Sequence, residues 1–371
     1  MKKHRVWAEV SLERLIANLE AVKKALKPDV KVLVVVKADA YGHGAVPIAR
    51  TCLENGAAMV GVGDSTEAIH LREAGILAPV LVLGALIEEE IGWVVSYNII
   101  PTLHSNYMVD LVNEEARRQN VRLPVHIDVD TGMTRLGVSP ARTLELVRRI
   151  RLSSNLELTG IGTHLSSAYT GDGAFVQQQC NAFDHVLAEL ERIDVRVPCC
   201  HVANSGALMR IASSKFNMVR PGTAIYGIDP GTLKQNNLNV IPILSLKTQI
   251  CYLRGVKPGT PVGYNRTFVS RRGTRIATLP VGYNDGYPYL LSNKARVLVR
   301  GQFAPVVGTV TMDYLTVDVG HIPEVGVGDE VVLIGSQGDK EISVIDLARL
   351  IGTISYEITC GIGKRVRRVY V

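Results

Sequence analysis

The 371 residues carry 41 Lys and Arg against 35 Asp and Glu, a net charge of +6 that leaves no nucleic-acid footprint on so large a surface. With 47% hydrophobic and 20% charged residues, the chain reads as an ordinary globular protein of about two or three domains rather than a disordered or fibrous one. Cys52, Cys180, Cys199, Cys200, Cys251 and Cys360 lack CxxC pairing and zinc-type histidine spacing, which argues against a disulfide scaffold or a structural metal. Glu9 and Glu13 interrupt any apolar stretch after Met1-Lys2-Lys3, which predicts no signal peptide and a cytoplasmic location. The apolar segment 78–87, one of the longest, falls well short of the ~20 residues that span a bilayer.

In chain order, the spacing of Leu15, Ile16, Leu19, Val22 and Leu26 predicts a helix from Leu12 with Ser11 as its cap. The run Lys31-Val-Leu-Val-Val-Val-Lys37 follows, short and β-branched, as expected of a strand buried on both faces. Similar runs at 58–62, 80–83, 99–103, 125–129, 158–163, 198–202, 217–219 and 224–226 alternate with segments of helical periodicity. One such helix is capped by Ser139-Pro140 and ends among Arg148, Arg149 and Arg151, at the negative end of its dipole. About eight strands over some 230 residues suit a closed (β/α)8 barrel of the TIM type better than an open sheet.

After Pro230 the polar stretch 234–239 leads into strands at 245–253, 274–279, 295–299, 314–319 and 330–333, with one helical interlude at 344–350. The expected division is a barrel domain over 1–235 and a β-rich domain over 236–371. The terminal run Lys364-Arg365-Val366-Arg367-Arg368 reads as a solvated edge strand rather than a nucleic-acid patch.

A parallel barrel offers its catalytic positions at the carboxyl ends of its strands. There the chain places Lys37, Asp128, Asp130, His164, Asn204, Ser205 and Arg220. A partly desolvated Lys37 amine is a nucleophile toward an aldehyde, although position alone favours a lysine that reaches back to solvent. Arg220-Pro-Gly222-Thr223 and His201-Val-Ala-Asn204-Ser205-Gly206 fit a phosphate cup or two ordinary helix-capping loops about equally well. His164 taken alone fits a buried structural histidine or a general acid/base. Asp130-Thr-Gly-Met133-Thr-Arg135 fits a turn with a solvated ion pair or a guanidinium aimed at a carboxylate.

Taken together, Val36-Lys37-Ala38-Asp39-Ala40-Tyr41-Gly42-His43-Gly44, the Asp130 to Arg135 segment, Thr163-His164, Asn204-Ser205, Arg220-Pro-Gly222, Val262-Gly-Tyr264-Asn, Val281-Gly-Tyr283, Met312-Asp313 and Ser355-Tyr356-Glu357 resemble bacterial alanine racemases over nearly the whole chain. The resemblance implies a pyridoxal 5'-phosphate enzyme that interconverts L-alanine and D-alanine, supplies D-alanine for peptidoglycan, and works as a head-to-tail homodimer with shared active sites. It implies that Lys37 holds the cofactor as a Schiff base and is one of two catalytic bases, the other being Tyr264 of the second subunit. His164 would hydrogen-bond that tyrosine or its network, and Arg220 would face the pyridine nitrogen. The cofactor would further touch Tyr41, Asn204, Ser205, Gly222, Thr223 and Tyr356. Arg135, Met312, Asp313 and Tyr283 would serve the substrate.

One departure stands out. Many members of the family carry a lysine, often carbamylated, two residues before the Asp-Thr-Gly segment, and here that residue is Asp128, a fixed carboxylate of shorter reach. Three rivals are weighed against the resemblance. A barrel-only cofactor carrier lacks the β domain with Tyr264 and Met312. A decarboxylase of basic amino acids wants an acid where Arg220 stands. Racemisation of a larger amino acid meets crowding by Met312 and Tyr356, which favours alanine, with serine as the minor substrate.

Overall fold

The first strand of the protein, β1 (Val6–Val10), alternates buried and half-buried residues in the pattern of a sheet covered on one face. It precedes the helix Leu12–Lys24, whose Arg14 amide donates to the Ser11 hydroxyl oxygen. The eight strands that follow are β2 (Lys31–Val35), β3 (Met59–Val62), β4 (Val80–Val82), β5 (Thr102–Leu103), β6 (Leu123–Asp128), β7 (Leu156–Gly162), β8 (Cys199–Asn204) and β9 (Met218–Arg220). In this computed structural model residues 4–169, 173–208, 216–228 and 238–371 are described. They divide into two units, one of residues 16–40 and 45–240, the other of residues 1–15, 41–44 and 241–371.

The first unit is a parallel sheet ordered β4-β3-β2-β9-β8-β7-β6-β5. Its two end strands approach through the parallel bridge Leu81–Ile100 and the bonds Val82 N–H to Ile100 O and Ile100 N–H to Val80 O, so the barrel all but closes. The apolar run at 224–226 is not a strand but a turn. Its Tyr226 is buried and donates its hydroxyl to Val35 O at 2.8 Å. An apolar triplet buried in a turn has the same composition as one that pairs in a sheet.

In the second unit the strands are β10 (Leu244–Gln249), β11 (Tyr252–Val256), β12 (Pro261–Val262), β13 (Phe268–Val269), β14 (Thr274–Leu279), β15 (Arg296–Val299), β16 (Gln302–Pro305), β17 (Leu315–Asp318), β18 (Glu330–Gln337), β19 (Lys340–Ile342) and β20 (Arg367–Tyr370). One sheet runs β16-β15-β18-β10-β1-β20 with β19 on β18, a second runs β11-β14-β17, and β12 with β13 forms a hairpin. The single run expected at 245–253 is therefore two strands in different sheets. The amino-terminal β1 pairs antiparallel with β10 and parallel with β20, a role that a strand read in isolation does not disclose. The linker expected after Pro230, and with it the boundary at 235/236, lies outside the described residues. Among the described residues no helix is long and apolar enough to cross a membrane.

The basic run at the carboxyl terminus is not simply solvated. Arg368 donates to the carbonyls of Gly42, Ile362, Gly363 and Val366, so a half-buried guanidinium closes the last turn. Gly42 itself has φ +85, and a Cβ there would lie 2.0 Å from Thr359 O. A Gly42→Ala substitution meets both backbone strain and overlap, and thermal or denaturant unfolding should show a loss of at least about 2 kcal/mol; an unchanged midpoint would contradict this packing.

Candidate active site

The barrel unit places Lys37 immediately beyond β2, where the backbone does something unusual. Ala38, Asp39 and Ala40 have φ/ψ near 53/51, 52/48 and 54/51, and Tyr41 has φ 54. Four consecutive non-glycine residues thus form one left-handed turn, at a cost of roughly 1–2 kcal/mol each. Strain of this kind persists only where surrounding contacts over-determine it. Ala40 N–H bonds Val36 O at 2.8 Å, Asp39 Oδ1 accepts from the Ala45 amide at 2.7 Å, and Glu67 Oε1 accepts from the Ala38 amide at 2.5 Å. Lys37 is exposed at the start of this turn.

Arg220 closes β9 and is 6% exposed. Its Nη1 donates to His201 O at 2.8 Å and to His201 Nδ1, and its Nη2 donates to Thr163 O at 2.8 Å and reaches His164 Nδ1 at 3.3 Å. Among the described residues its Nε has no protein acceptor. Since a guanidinium only donates, His201 must accept at Nδ1 and carry its proton on Nε2. That proton then points to His126 Nδ1, 3.0 Å away, and leaves His126 protonated on Nε2, a buried atom without a partner among the described residues. The two imidazoles stack, with centroids 5.2 Å apart.

Two glycines of β7 make room for these rings. A Cβ at Gly160 would fall 2.2 Å from the His126 ring, and one at Gly162 would fall 2.1 Å from that of His201. The sheet register sets Gly160 beside His126 and Gly162 beside His201, so the backbone itself aims the relay.

All three histidines near Arg220 are held neutral. Burial, then the Arg220 charge, pushes His126 down to about 3. Burial, then Arg220, Arg135 and Lys37, does the same for His164, also to about 3, and His201 falls well below its ordinary value through burial and Arg220. Burial lowers Arg220 to about 10, against the pull of Asp128, so it stays cationic at neutral pH. Burial raises Asp128 to about 6, opposed by Arg220 and Arg135.

Asp130 does not pair with Arg135. Its Oδ1 instead accepts the amides of Gly132, Met133 and Thr134 at 3.0, 2.9 and 3.0 Å; burial works to raise the carboxyl, but these amides keep it below the usual range. The turn so capped carries Arg135 to an exposed position. His164 is framed by Gln179, fully buried, whose amide donates to His164 O and Thr131 Oγ1.

Ser205 Oγ accepts the amides of Gly222 and Ala224 at 2.9 and 3.1 Å, which leaves its proton free to donate. Thr223 Oγ1 lies 2.9 Å from the Tyr169 hydroxyl, and Asn204 Oδ1 is buried without a partner while its Nδ2 donates to Leu165 O. A hydroxyl proton, two more hydroxyls and a glycine-bearing turn form a cup that suits a phosphate. The spare Arg220 Nε–H is a donor that an aromatic ring nitrogen can accept.

The β-rich unit holds the other expected residues. Tyr264 is 69% exposed, at the tip of the β12–β13 hairpin where Gly263 has φ 74 and Asn265 φ 59. Tyr283 and Met312 are exposed on neighbouring loops joined by Tyr283 N–H to Thr311 O at 3.0 Å and Asn284 N–H to Met312 O at 3.1 Å. Arg365 locks those loops, with two bonds to Asp285 at 2.6 and 2.9 Å and one to Asp313 at 2.7 Å. Arg5 adds bonds to Pro280 O and Asp313 O. Tyr41 and Tyr356 meet edge to face, 6.2 Å between centroids.

Comparisons with known proteins establish the family. Residues 10–230 match the family described as alanine racemase, N-terminal domain, and residues 243–370 match the one described as alanine racemase, C-terminal domain. The chain belongs to the alanine racemase family. An alanine racemase of Halothermothrix orenii is 44% identical to this racemase over 364 residues, covering 98% of this chain and 96% of that protein. The solved alanine racemase of Clostridium difficile superposes with a TM-score of 0.95 at 32% identity, covering 100% of this chain and 97% of that one. The alanine racemase of Bartonella henselae, solved with covalently bound pyridoxal phosphate, has a TM-score of 0.87 at 29% identity, covering 99% of each chain.

His126, the β7 glycines, Tyr169, Glu67 and Arg365 are site-building residues that motif reading passed over. The one sequence signal was two glycines spaced by two at the end of a strand beside histidine-bearing strands.

A histidine whose folded value is depressed contributes stability above its unfolded value of 6.5 and loses it as pH falls toward about 3. Removing one such group with His126→Asn should flatten the decline of unfolding free energy between pH 6 and 4 by roughly 1.4 kcal/mol per pH unit. Denaturant titrations of both proteins across that range measure it, and parallel curves would contradict a neutral buried His126.

Proposed function

We propose that this racemase interconverts L-alanine and D-alanine with pyridoxal 5'-phosphate, using Lys37 on one face of the substrate and Tyr264 from a second copy of the chain on the other, and that it supplies D-alanine for peptidoglycan. The observation that carries the reading is the Arg220 cluster, a buried cation whose spare Nε–H accompanies a phosphate-type cup and an exposed lysine at strand ends of one barrel. Pyridoxal phosphate supplies, when bound, an electron sink that acidifies the α C–H of an amino acid.

Lys37 is the amine that would hold the aldehyde group, and its Nζ would take or return the α-proton from its side of the substrate. Inverting a stereocentre needs a second group on the opposite side, and the Tyr264 hydroxyl, exposed on its hairpin tip, is chemically suited to that part. Neutral His164 accepts at Nδ1 from Arg220 and so carries its proton on Nε2, from which it can donate to the phenol oxygen and favour its ionised form. The spare Nε–H of Arg220 would donate to the pyridine nitrogen without giving up its proton, an arrangement that would restrain the electron sink and disfavour side reactions. Asn204, Ser205, Gly222 and Thr223 serve the cofactor, with Tyr41 and Tyr356 joining them by the family pattern. Arg135 and the Met312 amide of the second copy hold the substrate carboxylate, with Asp313 and Tyr283 supporting that loop.

Asp128 takes the place of the carbamylated lysine in this reading. It makes no direct ion pair with Arg135 among the described residues, yet the two are electrostatically coupled, so it orients the guanidinium through space or through a bridging water. Asp128→Asn should raise the KM for alanine by roughly threefold to tenfold, the worth of a weakened charge-assisted contact. Unchanged KM and kcat would remove Asp128 from this part.

Lys37→Ala should abolish both racemisation and the visible absorbance of the covalently held cofactor. Tyr264→Phe should slow proton exchange from L-alanine and D-alanine unequally. If the two bases come from different subunits, mixing these two homodimers, each impaired in racemisation, under exchange conditions rebuilds one complete site in each mixed dimer and returns roughly a quarter of wild-type activity. A chiral assay of alanine reads the result, and a mixture as inactive as its parents would rule out shared sites.

A further inference from the structure

The left-handed turn that follows Lys37 contains no glycine, yet its first amide is anchored from outside. Glu67, in the helix Ser65–Glu73, accepts the Ala38 amide through Oε1 at 2.5 Å and the Gly63 amide through Oε2 at 2.8 Å. Ala38 adjoins Lys37 in the chain, and Gly63 follows β3, with its Cβ position 3.6 Å from Lys37 Cβ. One carboxylate thus ties the backbone just beyond the lysine to the end of the neighbouring barrel strand. Glu67 is fixed in turn, since Asp64 Oδ1 accepts its amide at 2.9 Å.

We propose that Glu67 is a positioning residue for Lys37, holding the strained backbone that sets the direction of the amine; this rests on the assignment of Lys37 as the cofactor-bearing base. Both groups that Glu67 faces are N–H donors, so only a side chain with two acceptor oxygens satisfies them together. In Glu67→Gln one amide of the chain meets the new NH2 group, donor against donor. Ala38 is then released toward the right-handed conformations that an alanine prefers, and Lys37 swings with it. Glycine at position 38 removes that preference, and should make the external hold dispensable. A purely structural role of Glu67, in securing Gly63 or its own helix, gains nothing from a change at residue 38.

The test uses the full-length holoenzyme as wild type, Glu67→Gln, Ala38→Gly and the double variant. Its readouts are the apparent dissociation constant of pyridoxal 5'-phosphate, titrated by visible absorbance, and kcat and KM for L-alanine. Glu67→Gln should weaken cofactor retention and lower kcat by about tenfold each, the worth of one charge-assisted hydrogen bond, with KM changed by no more than about twofold. Ala38→Gly alone should stay within about twofold of wild type, and the double variant should recover most of the loss. A Glu67→Gln protein within about twofold of wild type, or a double variant no better than Glu67→Gln, overturns the proposal. Should Glu67→Gln fail to fold, hydrogen exchange of wild type decides it: slow exchange at the Ala38 amide supports the anchor and exchange at the free-chain rate overturns it. Absence of the absorbance in wild type would instead sink the assignment of Lys37, so the two failures are distinguishable.

Discussion

A single buried cation organises the barrel end of this protein. Arg220 is surrounded by two backbone carbonyls and two histidine nitrogens, and no carboxylate neutralises it by direct contact among the described residues. An isolated buried charge is costly, so its neighbours are forced into one state. The histidines must be neutral and must accept at Nδ1, which fixes the tautomers of His201 and His126 in series. The glycines at 160 and 162 follow from that demand, because the rings occupy the space a side chain would need. A strand sequence that weakens local β-propensity is thereby explained by what lies across it.

The second constraint is strain held by contacts distant in sequence. Left-handed backbone from Ala38 to Tyr41 would not survive in isolation, and it is restrained in the barrel unit by Glu67 and Asp39. In the β-rich unit, Arg5 and Arg365 come from opposite ends of the chain and fasten the loops bearing Tyr283 and Met312. Exposed aromatic and methionine side chains on rigid supports are the kind of surface that a second subunit can use without an ordering cost. Restraint at both places suits the proposed exchange of one proton on two faces with little rearrangement.

Much of the barrel was legible in the sequence, because β-branched runs such as Lys31-Val-Leu-Val-Val-Val carry the signature of strands buried on both faces. The exceptions have physical causes. The triplet at 224–226 is as apolar as a strand but is buried as a turn, and β1 pairs with β10 and β20 more than 200 residues away, which no local pattern reveals. Motif residues Lys37, His164, Ser205 and Arg220 could be named from short segments and a resemblance. The contact behind Arg220 could not: His126 and His201 lie 75 residues apart, and although His201 opens the segment that ends at Gly206, nothing in it points to His126. The left-handed turn was equally hidden, since Ala-Asp-Ala has no glycine to announce positive φ. Arg365, read as part of a solvated edge, is instead a clamp on two acidic loops, a partnership set by the fold rather than by its basic neighbours.

The most direct test of the central claim concerns the proton that, in the proposed function, Arg220 withholds from the cofactor ring. With pyridoxal 5'-phosphate labelled with 15N in the ring and bound to the protein, the nitrogen chemical shift reports whether the ring is protonated. Histidines locked neutral around a guanidinium that only donates predict the shift of an unprotonated, hydrogen-bonded pyridine at neutral pH. A shift typical of a pyridinium would contradict the arrangement derived from Arg220, His201 and His164.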